Sequence, residues 1–280
     1  MQYEPSILDK LQRELLEILS DIDAVCRKHG ITYWLDSGTA LGARRHGGFI
    51  PWDDDIDLGM LREDHERFLE LAPAALGEGY VVSNPRSNGC QAPLFTKVWK
   101  KGTVFATDET EDAGFFQGIF VDIFPYDALS ADPAIAAKQM SACRKYQLSA
   151  YLLHSGNVKV PHKGTLGALE RLVGHVGHLV CKLTSSHDKL VEAFLRDASL
   201  GAENPGSSFM CSAYTNMGIF PADVLVPPIE VFFEGRRFFA PAQIERYLEI
   251  VYGSWETLPP PDKRVNHAPK RLVFPDGEEC

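Results

Sequence analysis

Residues 36–60 read DSGTALGARRHGGFIPWDDDIDLGM, and this stretch decides the fold more than any other part of the chain. Four of its five positions from 53 to 57 are aspartates, at Asp53, Asp54, Asp55 and Asp57. A run of like charge is typical of a solvated segment, but large apolar residues flank this one on both sides and predict burial. Buried carboxylates repel one another and lose hydration, so a bound cation is the natural way to keep them ionised. The stretch therefore predicts a metal site.

The residues around the acidic run predict a strand, a turn, a short helix and a second strand. In that order, the four elements are expected at 31–35, 37–38, 39–45 and 56–60. Because side chains two positions apart on a strand point to the same face, Asp55 and Asp57 are expected side by side. At the turn, Ser37, Gly38 and Thr39 are expected to offer backbone N–H groups and a helix N-terminus to a phosphate.

A single acid, Asp122, interrupts the apolar run GIFVDIF at 118–124, which predicts a central strand. Nothing within that strand pairs its charge, so Asp122 is the expected third member of a site with Asp55 and Asp57. Carboxylate oxygens in an incomplete protein cage suit Mg²⁺, with Mn²⁺ as the alternative. A Gly-Ser turn, an acid-x-acid strand and a later lone acid follow the order of parts in the nucleotidyltransferase fold.

The rest of the chain predicts several helices and a few further strands. These are a helix from an N-cap at Ser6 to Gly30, a helix at 62–72 closed by Pro73, a strand at 95–99, helices over 133–200 with a loop at 155–164, a hairpin at 231–239 turning at 234–236, and a last helix at 241–251. The predicted class is α/β (α+β), a nucleotidyltransferase-like mixed sheet flanked by helices, with a helical insertion and C-terminal part. A catalytic module is expected at 1–130, a mainly helical region at 131–225, and a hairpin, helix and tail at 226–280 that pack back on the catalytic module.

Composition narrows the class of protein. A net charge of −10 over 280 residues argues against a general nucleic-acid binder, because phosphate neutralisation needs a basic surface. The six cysteines form no CxxC pair, and the charged N-terminus does not read as a signal peptide. No apolar run approaches the roughly 18 residues of a membrane span. We expect a cytoplasmic protein with reduced thiols, which makes at most peripheral contact with the inner face of a membrane.

The chain resembles the LicD family of phosphocholine transferases, which also includes the fukutin-related ribitol-phosphate transferases. The resemblance is strongest in ITYWLDS and the GTALGARRHGGFIPWDDDIDLGM that follows it. Further matches are FTKVWKKGT at 95–103, GIFVDIFPYD at 118–127, the hairpin and helix at 231–253, and YGSWETLPPPDKRVNH at 252–267. Residues 131–225 match weakly, and Ser37 stands where the family more often has glycine.

The resemblance implies transfer of a phospho-alcohol, most often phosphocholine, from a CDP-activated donor to a sugar hydroxyl, with release of CMP. The acceptor would be a cell-surface glycan such as lipopolysaccharide or teichoic acid, free or lipid-linked, and the 131–225 region is expected on the acceptor side. Asp55 and Asp57 would bind Mg²⁺, and Asp122 would complete the metal site or act as base. The diphosphate would be held by the cationic side chains, which are Arg44, Arg45, His46 and Lys97.

Several alternatives stay open at the level of sequence. A nucleotide-sugar glycosyltransferase also uses an Asp-x-Asp metal motif, a true nucleotidyltransferase would consume an NTP, and a calcium-stabilised binding module would need no nucleotide. An EF-hand is disfavoured because Leu58 replaces the required glycine. Asp53 and Asp54 are equally well read as ligands or as supporting residues. Arg264 and His267 fit either family positions or a packed tail, and the apolar helices at 166–195 are expected to pack in the core rather than on a membrane.

Overall fold

The computed structural model describes residues 3–87, 93–107, 116–154, 162, 164–267 and 269–280. The helices are α1 (Pro5–His29), α2 (Ser37–His46), α3 (Arg62–Ala75), α4 (Pro133–His154), α5 (Gly164–Thr184), α6 (His187–Ala198), α7 (Ala222–Leu225) and α8 (Ile244–Tyr252). The strands are β1 (Trp34–Leu35), β2 (Asp57–Leu61), β3 (Tyr80–Ser83), β4 (Thr96–Lys100), β5 (Val104–Ala106), β6 (Phe120–Ser130), β7 (Pro205–Cys211), β8 (Phe220–Pro221), β9 (Ile229–Phe233), β10 (Arg236–Ala240) and β11 (Arg271–Val273). The predicted α+β class with a mixed sheet is confirmed.

The main sheet is built around β6. Strand β2 runs parallel to β6 on one side and carries β1 antiparallel at the edge, while β4 and then β3 lie antiparallel on the other side. Because β6 is 11 residues long, it extends past β4, and its C-terminal half pairs with β7, which in turn pairs with β8. Separate two-stranded sheets join β9 to β10 and β5 to β11.

Strand β6 continues beyond the predicted end at Phe124, through Pro125 to Ser130. Proline cannot donate a ladder hydrogen bond, which is why a central strand was expected to stop before it. On the side away from β2, pairing with β4 ends at Ile123 and pairing with β7 begins at Tyr126, so Pro125 falls between the two partners. Strand β7 also places part of the 131–225 region in the main sheet, and the three-region division stays a prediction.

Helix α1 follows the predicted apolar spacing and buries one face in the core. Its C-cap Gly30 has φ 62°, in the left-handed region that suits glycine. The predicted N-cap Ser6 is wrong, because the helix begins at Pro5 with Glu4 as N-cap, and proline's fixed φ suits the first helical position. The predicted stop before Pro73 is also wrong, since α3 includes this proline in its last turn.

The hairpin predicted at 231–239 is confirmed as β9 and β10, but the last helix begins at Ile244 rather than Pro241. The N–H groups of Ala242 and Gln243 donate instead to Leu225 and Val224 at 3.2 and 3.0 Å, so this segment ties α7 to α8. The predicted loop at 155–164 lies almost wholly outside the described residues. The core packing expected over 166–195 is wrong for α5, whose large apolar side chains are exposed. No described helix combines the length and apolarity needed to cross a membrane.

Candidate active site

Three predicted residues form one row across the central strands. In the parallel register of β2 and β6, Asp57 pairs with Asp122, and in the antiparallel register of β6 and β4, Asp122 pairs with Lys97. Side chains that share a row of a sheet point to the same face. The Lys97 ammonium lies 2.7 and 2.9 Å from the two carboxylate oxygens of Asp122. The register therefore assembles residues from three separate segments into a single charged surface.

The start of α2 supports this row through its backbone. Asp57 N–H donates to the Thr39 hydroxyl at 2.9 Å, and the Asp57 carbonyl accepts from Asp36 N–H at 2.9 Å. The Thr39 side chain is buried, so its hydroxyl serves the end of β2. The structure thus gives the Thr39 hydroxyl a supporting role for Asp57, and the predicted phosphate contact of the backbone at this turn stays a prediction.

The N-terminus of α2 faces the site through Ser37, the first residue of the helix. Its backbone has φ 44°, in the left-handed region, and its N–H donates to the Asp36 carboxylate and to the Tyr247 hydroxyl, each at 2.9 Å. A Cβ atom at Gly38 would lie 3.2 Å from a carboxylate oxygen of Asp53, so glycine leaves room for the acidic loop. Ser37 lines the cavity described below, whereas Gly38 packs under Asp53.

A buried carboxylate that the sequence did not single out organises this turn. Asp36 is the N-cap of α2 and is fully buried. Its side chain accepts hydrogen bonds from the hydroxyls of Tyr126, at 3.0 and 3.1 Å, and Tyr247. Burial raises the pKa of Asp36 to about 6, although the two tyrosine hydrogen bonds oppose the shift. The available signal was an acid placed at the end of a strand, directly before a Ser-Gly turn.

The acidic loop is tied to both ends of the chain through Asp54. This buried carboxylate accepts from the Tyr3 hydroxyl at 2.8 Å, and from His267 through its backbone N–H and ring Nδ1 at 3.0 Å each. The His267 ring also lies 3.7 Å from the Asp55 carboxylate. His267 therefore lies beside the acidic residues, whereas Arg264 packs over the Trp52 ring.

Two groupings of possible metal ligands share this site. Among the described residues, Asp54, Asp55 and His267 bring one ligand atom each within 4.8 Å of one another, which makes a possible Asp-Asp-His metal site. Within that same part of the chain, Asp55, Asp57 and Asp122 do not form so close a trio, but all three line one cavity. Asp55 is common to both groupings.

The site carries more negative charge than the protein compensates. Burial, followed by repulsion from Asp55 and Asp122, raises the pKa of Asp57 well above its usual value. Burial also raises the pKa of Asp122 to about 6 against the opposing pull of Lys97. The hydrogen bond to Asp54, opposed by burial, raises the pKa of His267 to about 9, which keeps its ring cationic at neutral pH. A carboxylate-lined cluster of this kind fits a hard cation, because the added charge removes the repulsion.

A cavity of about 730 Å³ opens above the row. Its charged end is formed by Asp55, Asp57, Asp122, Lys97 and His267. The aromatic side chains in its wall are Phe95, Trp99, Phe105, Phe120, Phe124, Tyr214 and Tyr252. The Lys97 ammonium lies 3.6 Å from the centre of the Phe120 ring. The volume falls in the range of small-molecule sites, and the wall combines an ionic end with apolar surface.

The structure does not bring the predicted cations Arg44, Arg45 and His46 to this cavity. They occupy the last turn of α2, at the opposite end from Ser37, and ten helical residues span about 15 Å. Arg44 pairs with Glu245 at 2.7 Å, and Arg45 donates to the Trp255 carbonyl at 2.8 Å and contacts His46 at 3.0 Å. Cations are favoured at a helix C-terminus by the helix dipole.

Sequence reasoning missed two tyrosines that line the cavity. Tyr214 lies outside the strands and helices predicted for the 131–225 region, and Tyr252 ends α8. Both hydroxyls face the acidic cluster closely enough that, after burial, repulsion from Asp57 raises their pKa values. The only sequence signal was the position of Tyr252 at the start of the YGSW match.

Asp57, Lys97 and Asp122, which form the row, fall within a segment that matches a known protein family. The family described as LicD/FKTN/FKRP, nucleotidyltransferase domain, matches residues 30–154. The lipopolysaccharide cholinephosphotransferase LicD of Haemophilus influenzae is 27% identical over 270 residues, which cover 93% of this chain and 95% of the relative. Human ribitol 5-phosphate transferase FKRP is 43% identical over 65 residues, covering 23% of this chain and 13% of the relative. Human ribitol-5-phosphate transferase FKTN is 36% identical over 63 residues, covering 22% and 13%.

Proposed function

We propose that this chain, whose residues 30–154 match the LicD/FKTN/FKRP nucleotidyltransferase-domain family, is a Mg²⁺-dependent phosphotransferase that moves phosphocholine from CDP-choline to a sugar hydroxyl of a cell-surface glycan. The observation that carries the proposal is the row of Asp57, Asp122 and Lys97 at the charged end of the cavity. The Haemophilus relative, which is named a cholinephosphotransferase, aligns over nearly the whole chain. The names of the reported relatives favour phospho-alcohol transfer over the nucleotide-sugar glycosyltransferase alternative.

In the proposed reaction, the acceptor oxygen attacks the phosphorus that carries choline. The bond from that phosphorus to the bridging oxygen breaks, CMP leaves, and the hydroxyl proton passes to a base. Asp55 and Asp57, which are half-buried and line the cavity, would hold Mg²⁺. When bound, the metal would neutralise the diphosphate and hold the entering and leaving oxygens in line.

Lys97, one of the four cations predicted from the sequence, would hold the diphosphate together with His267, which takes the place of Arg44, Arg45 and His46. Both line the cavity, and the raised pKa of His267 keeps its charge at neutral pH. An ammonium and an imidazolium can each donate to phosphate oxygens. In this proposal Lys97 also orients Asp122, because it contacts both oxygens of that carboxylate.

Asp122 is proposed either as a third metal ligand or as the base that accepts the hydroxyl proton. The variant Asp122→Asn separates the two roles. Loss of a ligand should weaken Mg²⁺ binding, measured by titration of the metal into the chain. Loss of a base should leave Mg²⁺ affinity in place and lower kcat, with a change in the pH profile of turnover.

The aromatic wall favours choline as the transferred alcohol. A quaternary ammonium is attracted to the faces of aromatic rings within about 6 Å. Tyr214 and Tyr252 line the wall and would make such a contact in this proposal. Ribitol phosphate is the second candidate, because the FKRP and FKTN relatives are named for it.

The acceptor is proposed to lie in a neighbouring cavity of about 770 Å³. Pro93, Phe95 and Tyr214 line both cavities, so the two adjoin. The far wall is formed by α4, including the exposed Arg144 and Lys145. This arrangement agrees with the expectation that the 131–225 region serves the acceptor.

A turnover assay tests the main proposal. The purified chain, CDP-choline, Mg²⁺ and a glycan acceptor should yield CMP and a phosphocholine-bearing glycan, detected by chromatography and mass spectrometry. Asp57→Asn should abolish both products, while the control Asp188→Asn, which changes an exposed acid on α6, should retain them. Undiminished turnover in a folded Asp57→Asn chain would refute the assignment.

A second assay tests the acceptor cavity. Arg144→Ala with Lys145→Ala should raise KM for the glycan and leave the affinity for CDP-choline unchanged. Lys138→Ala provides the matched control, since this exposed lysine lies on α4 outside the cavity. Equal acceptor KM values in all three proteins would rule out this face.

A further inference from the structure

Helix α5 exposes a continuous apolar face. Eight leucine and valine residues on it are between 50% and 77% exposed. They are Leu166, Leu169, Leu172, Val173, Val176, Leu179, Val180 and Leu183. With about half of each residue accessible, they offer on the order of 700 Å² of apolar surface, above the roughly 300–600 Å² of the largest patch on a typical monomer. Such a face calls for a partner.

The opposite side of α5 is lined by small residues and packs inward. Gly167 and Gly174 are the buried residues of the helix. A Cβ atom at Gly177 would lie 3.2 Å from the Leu152 side chain of α4, and the His178 ring contacts the Leu152 carbonyl at 2.7 Å. A surface helix normally turns its large apolar residues toward the core, and α5 does the reverse.

The spacing of the exposed residues identifies the kind of partner. Six of them follow a strict three-four alternation, which is the 3.5-residue period of a coiled coil. These six residues, called the α5 seam, are Leu166, Leu169, Val173, Val176, Val180 and Leu183. In heptad terms, the a positions are Leu166, Val173 and Val180, and the d positions are Leu169, Val176 and Leu183. A β-branched residue at most a positions and leucine at most d positions is the combination that favours two-stranded pairing. A lipid surface imposes no such heptad period.

Charge and area also favour a protein partner over a membrane. A membrane-surface helix carries a strongly basic polar face and Trp at its border. Between 164 and 184 the chain has Arg171 and Lys182 as its only Lys or Arg residues, one acid at Glu170, and no Trp. The exposed area approaches the roughly 800 Å² per partner that a stable protein interface buries.

We propose that α5 pairs with α5 of a second copy of this chain, so that the two α5 seams form the centre of a symmetric dimer. In a two-fold symmetric dimer, the α5 seam of one chain contacts the α5 seam of the other, so both sides of the interface are equally apolar. This pairing does not depend on the proposed transferase activity.

Sedimentation equilibrium and light scattering of the full chain test the pairing. At about 50 µM, well above the micromolar limit of interfaces of this size, the protein should have twice the mass of one chain. Val173→Glu with Val176→Glu, at the middle of the seam, should raise the dimer dissociation constant at least about a hundredfold. The control Phe232→Glu places the same charge on an apolar residue that is 59% exposed on β9, and it should stay dimeric.

A charge-exchange experiment keeps the proposal falsifiable. Val173→Lys with Val176→Lys should also be monomeric, and mixing the Lys and Glu variants should restore a dimer, whichever way the helices run. If the charged variants fail to fold, Val173→Ser with Val176→Ser should still weaken the wild-type dimer at least about tenfold. A wild-type chain that stays monomeric would overturn the proposal. Flotation of that monomer with vesicles containing anionic lipid would assign the apolar face to a membrane surface instead.

Discussion

Replacing Lys97 with methionine should expose the energetic role of the ion pair at the centre of the site. The Lys97 and Asp122 side chains are only 14% and 10% exposed, and their atoms approach to 2.7 Å. Methionine keeps the length and apolar packing of the lysine stem but removes its charge. Breaking a buried ion pair by removing one partner typically costs about 3–5 kcal/mol, because the other charge is left uncompensated. We expect a loss of about 3 kcal/mol in the free energy of unfolding at pH 8.

The loss should depend on pH in a defined direction. Burial already raises the pKa of Asp122 to about 6 in the presence of Lys97, above the value of about 3.9 in an unfolded chain. Between these two pKa values the folded state binds more protons than the unfolded state, so this group makes stability fall as pH rises. Removing Lys97 raises the folded pKa further and extends the fall to higher pH. At pH 5, where Asp122 can be protonated in both proteins, the cost of Lys97→Met should be smaller.

A double-mutant cycle in urea, with EDTA to remove divalent cations, measures this coupling. The four proteins are wild type, Lys97→Met, Asp122→Asn and the double variant, each unfolded at pH 5 and pH 8. In the Asp122→Asn background, Lys97→Met should cost much less, because no buried charge is left behind. An equal cost in both backgrounds, or a cost that does not change with pH, would contradict the proposed coupling.

Three further predictions concern residues that lie on the central strands or are hydrogen-bonded to them. Gly59→Ala should destabilise the chain by about 3 kcal/mol in thermal unfolding, because a Cβ atom there would overlap the fully buried Trp34 ring, and Trp34→Leu should recover part of the loss. Thr39→Val should cost about 1–3 kcal/mol in urea unfolding by leaving Asp57 N–H unpaired, whereas Thr39→Ser should cost less; equal effects would exclude the hydrogen bond as the cause. Burial, and then repulsion from Arg62, lowers the pKa of His65 to about 3. The stability that its neutral buried ring contributes to the fold is therefore fully present above about pH 6.5 and is lost as pH falls toward 3. Wild type should therefore lose about 2 kcal/mol more than His65→Gln between pH 7 and pH 5, and identical losses would contradict the buried neutral ring.

The sequence was informative where local pattern and site chemistry coincide. Asp55, Asp57 and Asp122 stood out because carboxylates among large apolar residues are costly without a partner, and all three line the cavity. Lys97 was identified through its position in the family resemblance, and the strand register places it beside Asp122. The strands that carry this row were predicted because their alternation or apolar character is local.

The remaining features depend on contacts between distant segments. Strands β5 and β11 are three residues each and pair across more than 160 positions, so neither has enough local pattern to be recognised. The contact of His267 with Asp54 spans 213 positions, and no local spacing indicates it. Conversely, Arg44, Arg45 and His46 follow the Ser-Gly turn closely in sequence, but they lie at the far end of the helix that begins there. The outward direction of the apolar face of α5 was missed, because a helical apolar period predicts that one face is covered. The period does not distinguish the protein's own core from a partner as the cover.

Thermal unfolding in the presence of nucleotide ligands tests the central claim most directly. CDP-choline at about 100 times its dissociation constant should stabilise the chain by roughly 2.7 kcal/mol, a rise of a few degrees, in the presence of Mg²⁺. The shift should disappear with EDTA and in Asp57→Asn, and CDP-ribitol, CDP-glycerol, CTP, UDP-glucose and GDP-mannose should give smaller shifts. A larger shift with CDP-ribitol would replace choline by ribitol as the transferred alcohol. A shift produced by a sugar nucleotide alone, or one that survives Asp57→Asn unchanged, would contradict the assignment of the acidic row to a CDP-alcohol donor.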